Sequence, residues 1–345
     1  MNKILMTILL LSLYNNVSCQ VPPVPAHYVC YKISDDIAID GKLNERSWKL
    51  AQWSDPFQDI EGYSEPQPTE QTHVKMLWDD SSLYIGAHIE TKNIWATLTQ
   101  HDSIVFHDND FEIFINPDGN NHNYGEMEFN ALGTLMDIFL EKPYRDGGFP
   151  IFGWECKGIQ YAISYEGTIN NPSDVDTAWN IEIKIPLSSL LDLERGKKHL
   201  AAGTQWRINF SRVQWNVKVE NNSYVKLHEP EHNWVWSPQW AINMHRPEYW
   251  GYLQFSSRKV GTNEDVFLTD TNWDTRMQLM AVYAAERHYY ETTHQYTNDF
   301  SQLNLPEYVA IDKLSLQSDG DQFMLKTTGS DKILSIDQAG LLLIE

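Results

Sequence analysis

Four tryptophans stand between positions 234 and 250, in the run HNWVWSPQWAINMHRPEYWG. An indole left exposed in a turn-rich segment costs free energy unless its flat face serves as a stacking platform. Strand alternation directs Trp234 and Trp236 to one face, and Pro238 then breaks the strand and re-aims Trp240. Trp95, Trp154 and Trp215 also sit in or beside turn-rich segments, whereas Trp48, Trp78, Trp206 and Trp250 read as core. The rings that could take a flat ligand are therefore Trp95, Trp215, Trp236 and Trp240.

Hydroxyls at the rim of such a ligand need amides, carboxylates or a guanidinium. Arg212, Gln214, Asn130, Glu128 and Glu112 can supply them. The segment DFEIF sends Asp110, Glu112 and Phe114 to one face and Phe111 and Ile113 to the other, and EMEFNALG aligns Glu126, Glu128 and Asn130. Two adjacent strands with same-face polar groups form either a hydroxyl-binding patch or a solvated face. Asp108, Asp110 and Asp118 offer oxygens that Ca²⁺ could use, yet no twelve-residue loop with a terminal Glu accompanies them. Met244-His245 and the stretch His228 to His232 carry atoms able to ligate haem, without the Cys-x-x-Cys-His attachment sequence. No Gly-x-Ser-x-Gly, His-Glu-x-x-His or phosphate loop is present, and the abundant carboxylates carry no glycosidase motif.

These residues must be positioned by strands. Period-two runs such as HVKMLWDDSSLYIGAHIE, FEIFINP, MEFNALGTLMDIFLE, WNIEIKIP and WRINFSRVQW are bounded by Asp-Asp, Asn-Pro-Asp-Gly and Asn-Asn-Pro turns. Helical pattern is confined there to Asn44–Ala51 and Leu187–Leu191. The expected fold is mainly β, an antiparallel β-sandwich over residues 20–257. A small α+β appendage over 258–345 follows, with a helix capped by Thr271. Its apolar face comprises Trp273, Met277, Met280, Ala281, Ala284 and His288, and strands Phe323–Thr328 and Ile333–Ile336 come after it. The appendage could contact a protein partner.

Residues 1–19 read as a signal peptide, with Lys3 before the apolar run Ile4–Leu13 and small residues near 19. Export follows, to a secreted, periplasmic or cell-surface location, with lipidation at Cys19 as an alternative to cleavage after it. Cys30 and Cys156 could pair in an oxidising compartment. Acidic residues outnumber basic ones 47 to 26, a formal charge of -21, which disfavours nucleic acid and suits a neutral ligand or a cation.

Seven segments in order resemble the carbohydrate-binding module family 9-like domain, a sandwich related to DOMON domains and found on secreted bacterial proteins. IDGKLNERSWKLAQW, with Asp40, Gly41, Glu45 and Trp48, looks like its entry, and VKMLWDDSSLYIGAHI like its second strand pair. HDNDFEIFINPDG, YGEMEFNALGTLMD, WNIEIKIPLSSL and GTQWRINFSR follow, and HRPEYWGYLQF looks like its last strand. The resemblance implies non-catalytic binding of an oligo- or polysaccharide within glycan degradation or uptake, with a sugar gripped between aromatic rings. It also admits calcium. Hydrolysis of O-glycosyl bonds and haem binding are the alternative readings.

Overall fold

The computed structural model describes residues 20–194 and 200–345, so the signal segment and Cys19 lie outside the described residues. The chain divides into two compact units. One comprises Val24–Asp270 with Ala339–Leu343, and the other Thr271–Gln338 with Ile344–Glu345 and the described residues up to Pro23.

In the larger unit the strands are β1 (His27–Lys32), β2 (Gln58–Asp59), β3 (Thr72–Trp78), β4 (Ser82–Glu90), β5 (Asp110–Asn116), β6 (Tyr124–Asn130) and β7 (Leu135–Leu140). They continue with β8 (Gln160–Glu166), β9 (Ala178–Pro186), β10 (Gln205–Gln214), β11 (Val217–Glu220), β12 (Ser223–Lys226), β13 (His232–Val235) and β14 (Gly251–Lys259). One ladder runs in the order β7-β6-β5-β10-β14-β1-β3-β4-β9-β8, and β13 pairs with β10 and β2. The pairings are antiparallel except at one place. β1 lies parallel to both β14 and β3, which departs from the purely antiparallel expectation. A strand that opens the domain and feeds from one layer into the other needs no hairpin at either neighbour, so parallel pairing is open to it.

The alternation read from the sequence is realised. Phe111, Ile113, Met127, Phe129, Ile208 and Phe210 from one half of the ladder meet Val74, Ile85, Ile181 and Ile183 from the other in the main core. Fully burying each such side chain contributes about 1.5–3 kcal/mol. On the opposite face of β5, β6 and β7 a second apolar cluster gathers Phe114, Tyr124, Met136, Ile138 and Trp250 with Val105, Val235 and Met244. Cys30 and Cys156 are separate buried thiols, so the pairing left open by the sequence is not made.

The entry motif owes its residues to one buried carboxylate. Glu182 accepts the indole N–H of Trp48 at 2.7 Å and the backbone amides of Asp40 and Gly41 at 2.9 and 3.0 Å. Asp79 caps its own turn by accepting from the amides of Ser81 and Ser82 at 2.7 and 2.8 Å.

The smaller unit holds the long helix Trp273–Thr293 and strands β15 (Leu314–Ser318), β16 (Phe323–Thr328) and β17 (Ile333–Asp337). β15 carries no sequence expectation, because its alternation is short and half-polar. The helix cap is Asn272 rather than Thr271, and the Asn272 carboxamide oxygen accepts from the Ser330 amide at 2.7 Å instead of closing the helix. Ala284 and His288 face outward, while Leu279, Val282, Tyr283 and Glu286 are buried. The buried stripe is thus wider and rotated from the expected one. Among the described residues no helix is long and apolar enough to cross a membrane.

Candidate functional site

A cavity of ≈ 490 Å³ lies on the face of β5, β6 and β7 that carries the second apolar cluster. This is within the range of small-molecule sites, about 300–1,000 Å³. Its floor contains Glu112, Glu126 and Glu128, and its walls include Phe106, Phe114, Tyr144, Phe152, Ile242 and His245. Among the described residues no lysine or arginine lines it. The rim rings Phe106, Tyr144 and Phe152 are 38%, 43% and 39% exposed.

Strand register creates the floor. Glu112 stands directly opposite Glu128 and Phe114 opposite Glu126, so three carboxylates share one face of one hairpin. Like charges across a ladder repel, and burial adds a desolvation cost. Burial, followed by the Glu112 charge, pushes the Glu126 carboxyl up to about 8, and burial pushes Glu112 up to about 7. Glu128 and Asp110 are driven well above the carboxylate range by the same causes. Near neutrality Glu126, Glu128 and Asp110 hold protons and Glu112 does so in part, so the floor can donate hydrogen bonds as well as accept them. One Glu126 oxygen, Oε2, is buried without a hydrogen-bond partner and lies 4.0 Å from His245 Nε2. His245 meets the Tyr124 hydroxyl through Nδ1 at 2.9 Å, and burial and then Arg145 hold it down at about 3, so it is neutral.

The rim rings are held from behind. The Phe106 amide donates to Glu128 at 3.1 Å, and the Phe106 carbonyl accepts the indole N–H of Trp215 at 2.8 Å. Tyr144 packs edge-on against His245 with centroids 4.4 Å apart. The turn carrying Tyr144 is anchored by Arg145, which grips Glu248 with two N–H···O bonds of 2.6 and 2.8 Å. Bidentate pairs of this kind fix orientation as well as distance.

Glu112 and Glu128 are the two expected ligand-binding residues that reach this cavity. Trp236 is 2% exposed in the main core. Gly251 lies so close that a Cβ there would sit 2.3 Å from the Trp236 ring, which leaves no room for a stacked ligand. Trp95 is likewise closed off, at 4% exposed. Trp240 is half-buried, with its ring against Gly62 and edge-on to the exposed Tyr63, so it braces the turn at 60–63. Trp215 is half-exposed, but Lys226 Nζ covers its ring at 3.7 Å.

Two expected polar partners have their bonding capacity occupied. The buried Arg212 guanidinium pairs with Glu70 at 3.2 Å, binds Thr72 and Gln214, and lies over Trp234. Asn130 donates to the Leu98 carbonyl and to Asp108, and accepts from the amides of Leu132 and Thr134, which uses all four of its bonds. These polar side chains read as ligands from the sequence because alternation gives a face and not what packs on it.

The expected calcium triad is not assembled. Asp108 accepts from the amides of Thr97 and Leu98, the Thr97 hydroxyl and Asn130, so it closes a turn. Asp118 belongs to the β5–β6 turn and accepts from Asn120 at 3.4 Å. Asp110 instead groups with Glu112 and Glu128, with oxygens within 4.8 Å of one another. The cavity wall residues missed by the sequence reading, Phe106, Tyr144, Phe152 and Ile242, lie on connecting segments with no periodic signal. Glu126 was legible in its same-face spacing with Glu128, and Met244-His245, marked for haem, forms part of the wall.

The family model described as carbohydrate family 9 binding domain-like matches residues 39–210. The sandwich is therefore a domain of that family. A Bacteroides uniformis ATCC 8492 protein assigned as carbohydrate-binding is similar in structure at 16% identity and a TM-score of 0.49, covering 67% of this chain and 100% of its own. A family 9 carbohydrate-binding module of Caldicellulosiruptor kristjanssonii, solved with cellotriose, is similar at 15% identity and a TM-score of 0.42, covering 69% of this chain and 99% of its own. The same module with glucose gives the same identity and score. Among curated proteins none matches the sequence significantly.

Proposed function

We propose that the chain is a non-catalytic carbohydrate-binding protein whose ligand enters the Glu112–Glu126–Glu128 cavity. The observation that carries this reading is a floor of buried carboxylates that hold protons beneath exposed aromatic rings, with no lysine or arginine in the lining among the described residues and His245 neutral. A sugar presents apolar C–H faces to rings and hydroxyls to groups that both donate and accept. Among the described residues an anionic ligand would meet no positive charge there. The match of residues 39–210 to the carbohydrate family 9 binding domain-like model supports the ligand class.

The placement of the carboxylates favours binding over hydrolysis. Glycosidases hold two carboxyls on either side of a scissile bond. Here Glu112, Glu126 and Glu128 share one face of the β5–β6 hairpin rather than facing one another across a cleft. We further propose export, on the strength of the apolar run Ile4–Leu13, and a place in glycan capture for degradation or uptake.

Calorimetric titration with a panel of mono- and oligosaccharides tests the reading. Saturable binding to at least one neutral sugar is expected, weakened in Tyr144→Ala and Phe152→Ala. No binding across the panel, or binding abolished by Trp240→Ala and untouched by both cavity variants, would overturn it.

A further inference from the structure

A second constellation lies apart from the cavity floor. His101 stands at the turn before Val105–His107, Asp137 in the middle of β7, and Glu155 in the segment after Phe152. His101 Nε2 is 3.4 Å from the Glu155 carboxylate, 3.5 Å from Asp102 Oδ1 and 3.7 Å from Asp137 Oδ1. We propose that His101, Asp137 and Glu155, assisted by Asp102, form a binding site for a first-row divalent transition cation, Zn²⁺ being the best match.

The donor set and its spacing support this. One atom from each of His101, Asp137 and Glu155 can be chosen so that all three lie within 4.8 Å of one another. Ligands about 2.1 Å from a tetrahedral ion stand about 3.4 Å apart, near the separations seen here. An imidazole nitrogen with carboxylate oxygens suits zinc or manganese, whereas calcium takes oxygen ligands.

Asp137 supplies independent evidence for a ligand. Its side chain is 1% exposed. Oδ2 accepts the Cys156 amide at 2.6 Å, while Oδ1 is buried, faces His101 and has no hydrogen-bond partner. Oδ1 of Asp102 is also buried and unpartnered. Among the described residues no lysine or arginine pairs with Asp102, Asp137 or Glu155, so one imidazole faces three carboxyl groups with no fixed positive charge beside them. A divalent ion would supply the missing positive charge. His101 and Glu155 are 48% and 56% exposed, which leaves an entry path and room for a water ligand.

The site has a structural consequence for the cavity. It joins the segment leading into Phe106 to the segment following Phe152, and both rings belong to the cavity rim. An ion held there staples two rim segments together.

Protein stripped with a chelator and titrated with Zn²⁺ by calorimetry tests the assignment, with Co²⁺ visible absorption reporting coordination geometry. One saturable ion per chain is expected, with a rise in Tm. Affinity should increase with pH as protons leave His101. His101→Gln and, separately, Glu155→Gln should weaken binding at least about tenfold, since even residues outside the coordination sphere cost 10–100-fold. Both positions are half-exposed, so the variants should fold. Glu128→Gln should leave ion affinity unchanged. Absence of a single saturable site, or affinity that survives in His101→Gln, would overturn the proposal. Affinity lost only in Glu128→Gln would place the ion on the cavity floor and overturn it as well. None of these readouts depends on sugar binding.

Discussion

Replacing Glu126 by Gln should flatten the pH dependence of stability. Glu126 is 4% exposed and faces Glu112, Glu128, the neutral His245 and the Tyr124 and Tyr144 hydroxyls. Its carboxyl titrates at about 8 in the fold, against about 4.3 in an unfolded chain. Because the folded value is raised, the stabilising protonated form is fully present below about pH 4.3. Its contribution is lost as pH rises through about 8. At 1.36 kcal/mol per unit, this one group removes on the order of 4 kcal/mol between pH 5 and pH 8. Glu112, Glu128 and Asp110 steepen the loss in the same window, since their carboxyls are raised too. Gln is nearly isosteric with the protonated acid and cannot ionise. Glu126→Gln should match the parent at pH 5 to within about 1 kcal/mol and exceed it by a few kcal/mol at pH 8. Urea unfolding followed by tryptophan fluorescence at half-unit pH steps measures both curves. Parent stability that stays flat or rises from pH 5 to 8, or a variant with an unchanged slope, refutes the reasoning.

Other outcomes follow from the same geometry. Trp236→Ala should cost about 3–5 kcal/mol of stability as a core cavity, and Gly251→Ala should also destabilise because its Cβ meets that ring, both read by thermal unfolding. Arg212→Ala should cost about 3–5 kcal/mol by leaving Glu70 and Gln214 unpaired, while sugar affinity per folded molecule stays unchanged in calorimetry. Phe106→Ala should weaken sugar affinity by about 1–2 kcal/mol, as removal of a ring from a desolvated contact does, without a comparable change in folding. Mass spectrometry of the exported protein should find either Gln20 at the N-terminus or a lipidated Cys19, and an intact Met1 terminus would refute export.

Much of the architecture was legible because strands report locally. Period two in DFEIF and EMEFN assigns Phe111, Ile113, Met127 and Phe129 to the core and Glu112, Glu126 and Glu128 to the other face, as found. The same rule assigns faces but not what covers them. Trp236 looked available beside Ser237-Pro238, yet Gly251, fifteen positions on at the start of β14, closes over it. Asn130 and Asp108 looked like open oxygens, yet the Asp108 carboxylate is consumed by the backbone amides of Thr97 and Leu98, and the Asn130 oxygen by those of Leu132 and Thr134. Local polarity cannot distinguish a ligand from a cap, because the two use the same atoms.

By itself the sequence determined the strands β3 to β7, β9, β10 and β14 of the sandwich, its turn residues, the entry motif around Trp48 and the alignment of three glutamates on one hairpin face. These depend on interactions between residues near in the chain or on a two-residue repeat. Tertiary structure decided that the glutamates are buried rather than solvated, that Phe106, Tyr144 and Phe152 roof them, and that His101, Asp137 and Glu155 converge. Each depends on segments tens of residues apart being brought together by the ladder. Burial and charge proximity, which set whether a carboxyl keeps its proton, exist only after that assembly.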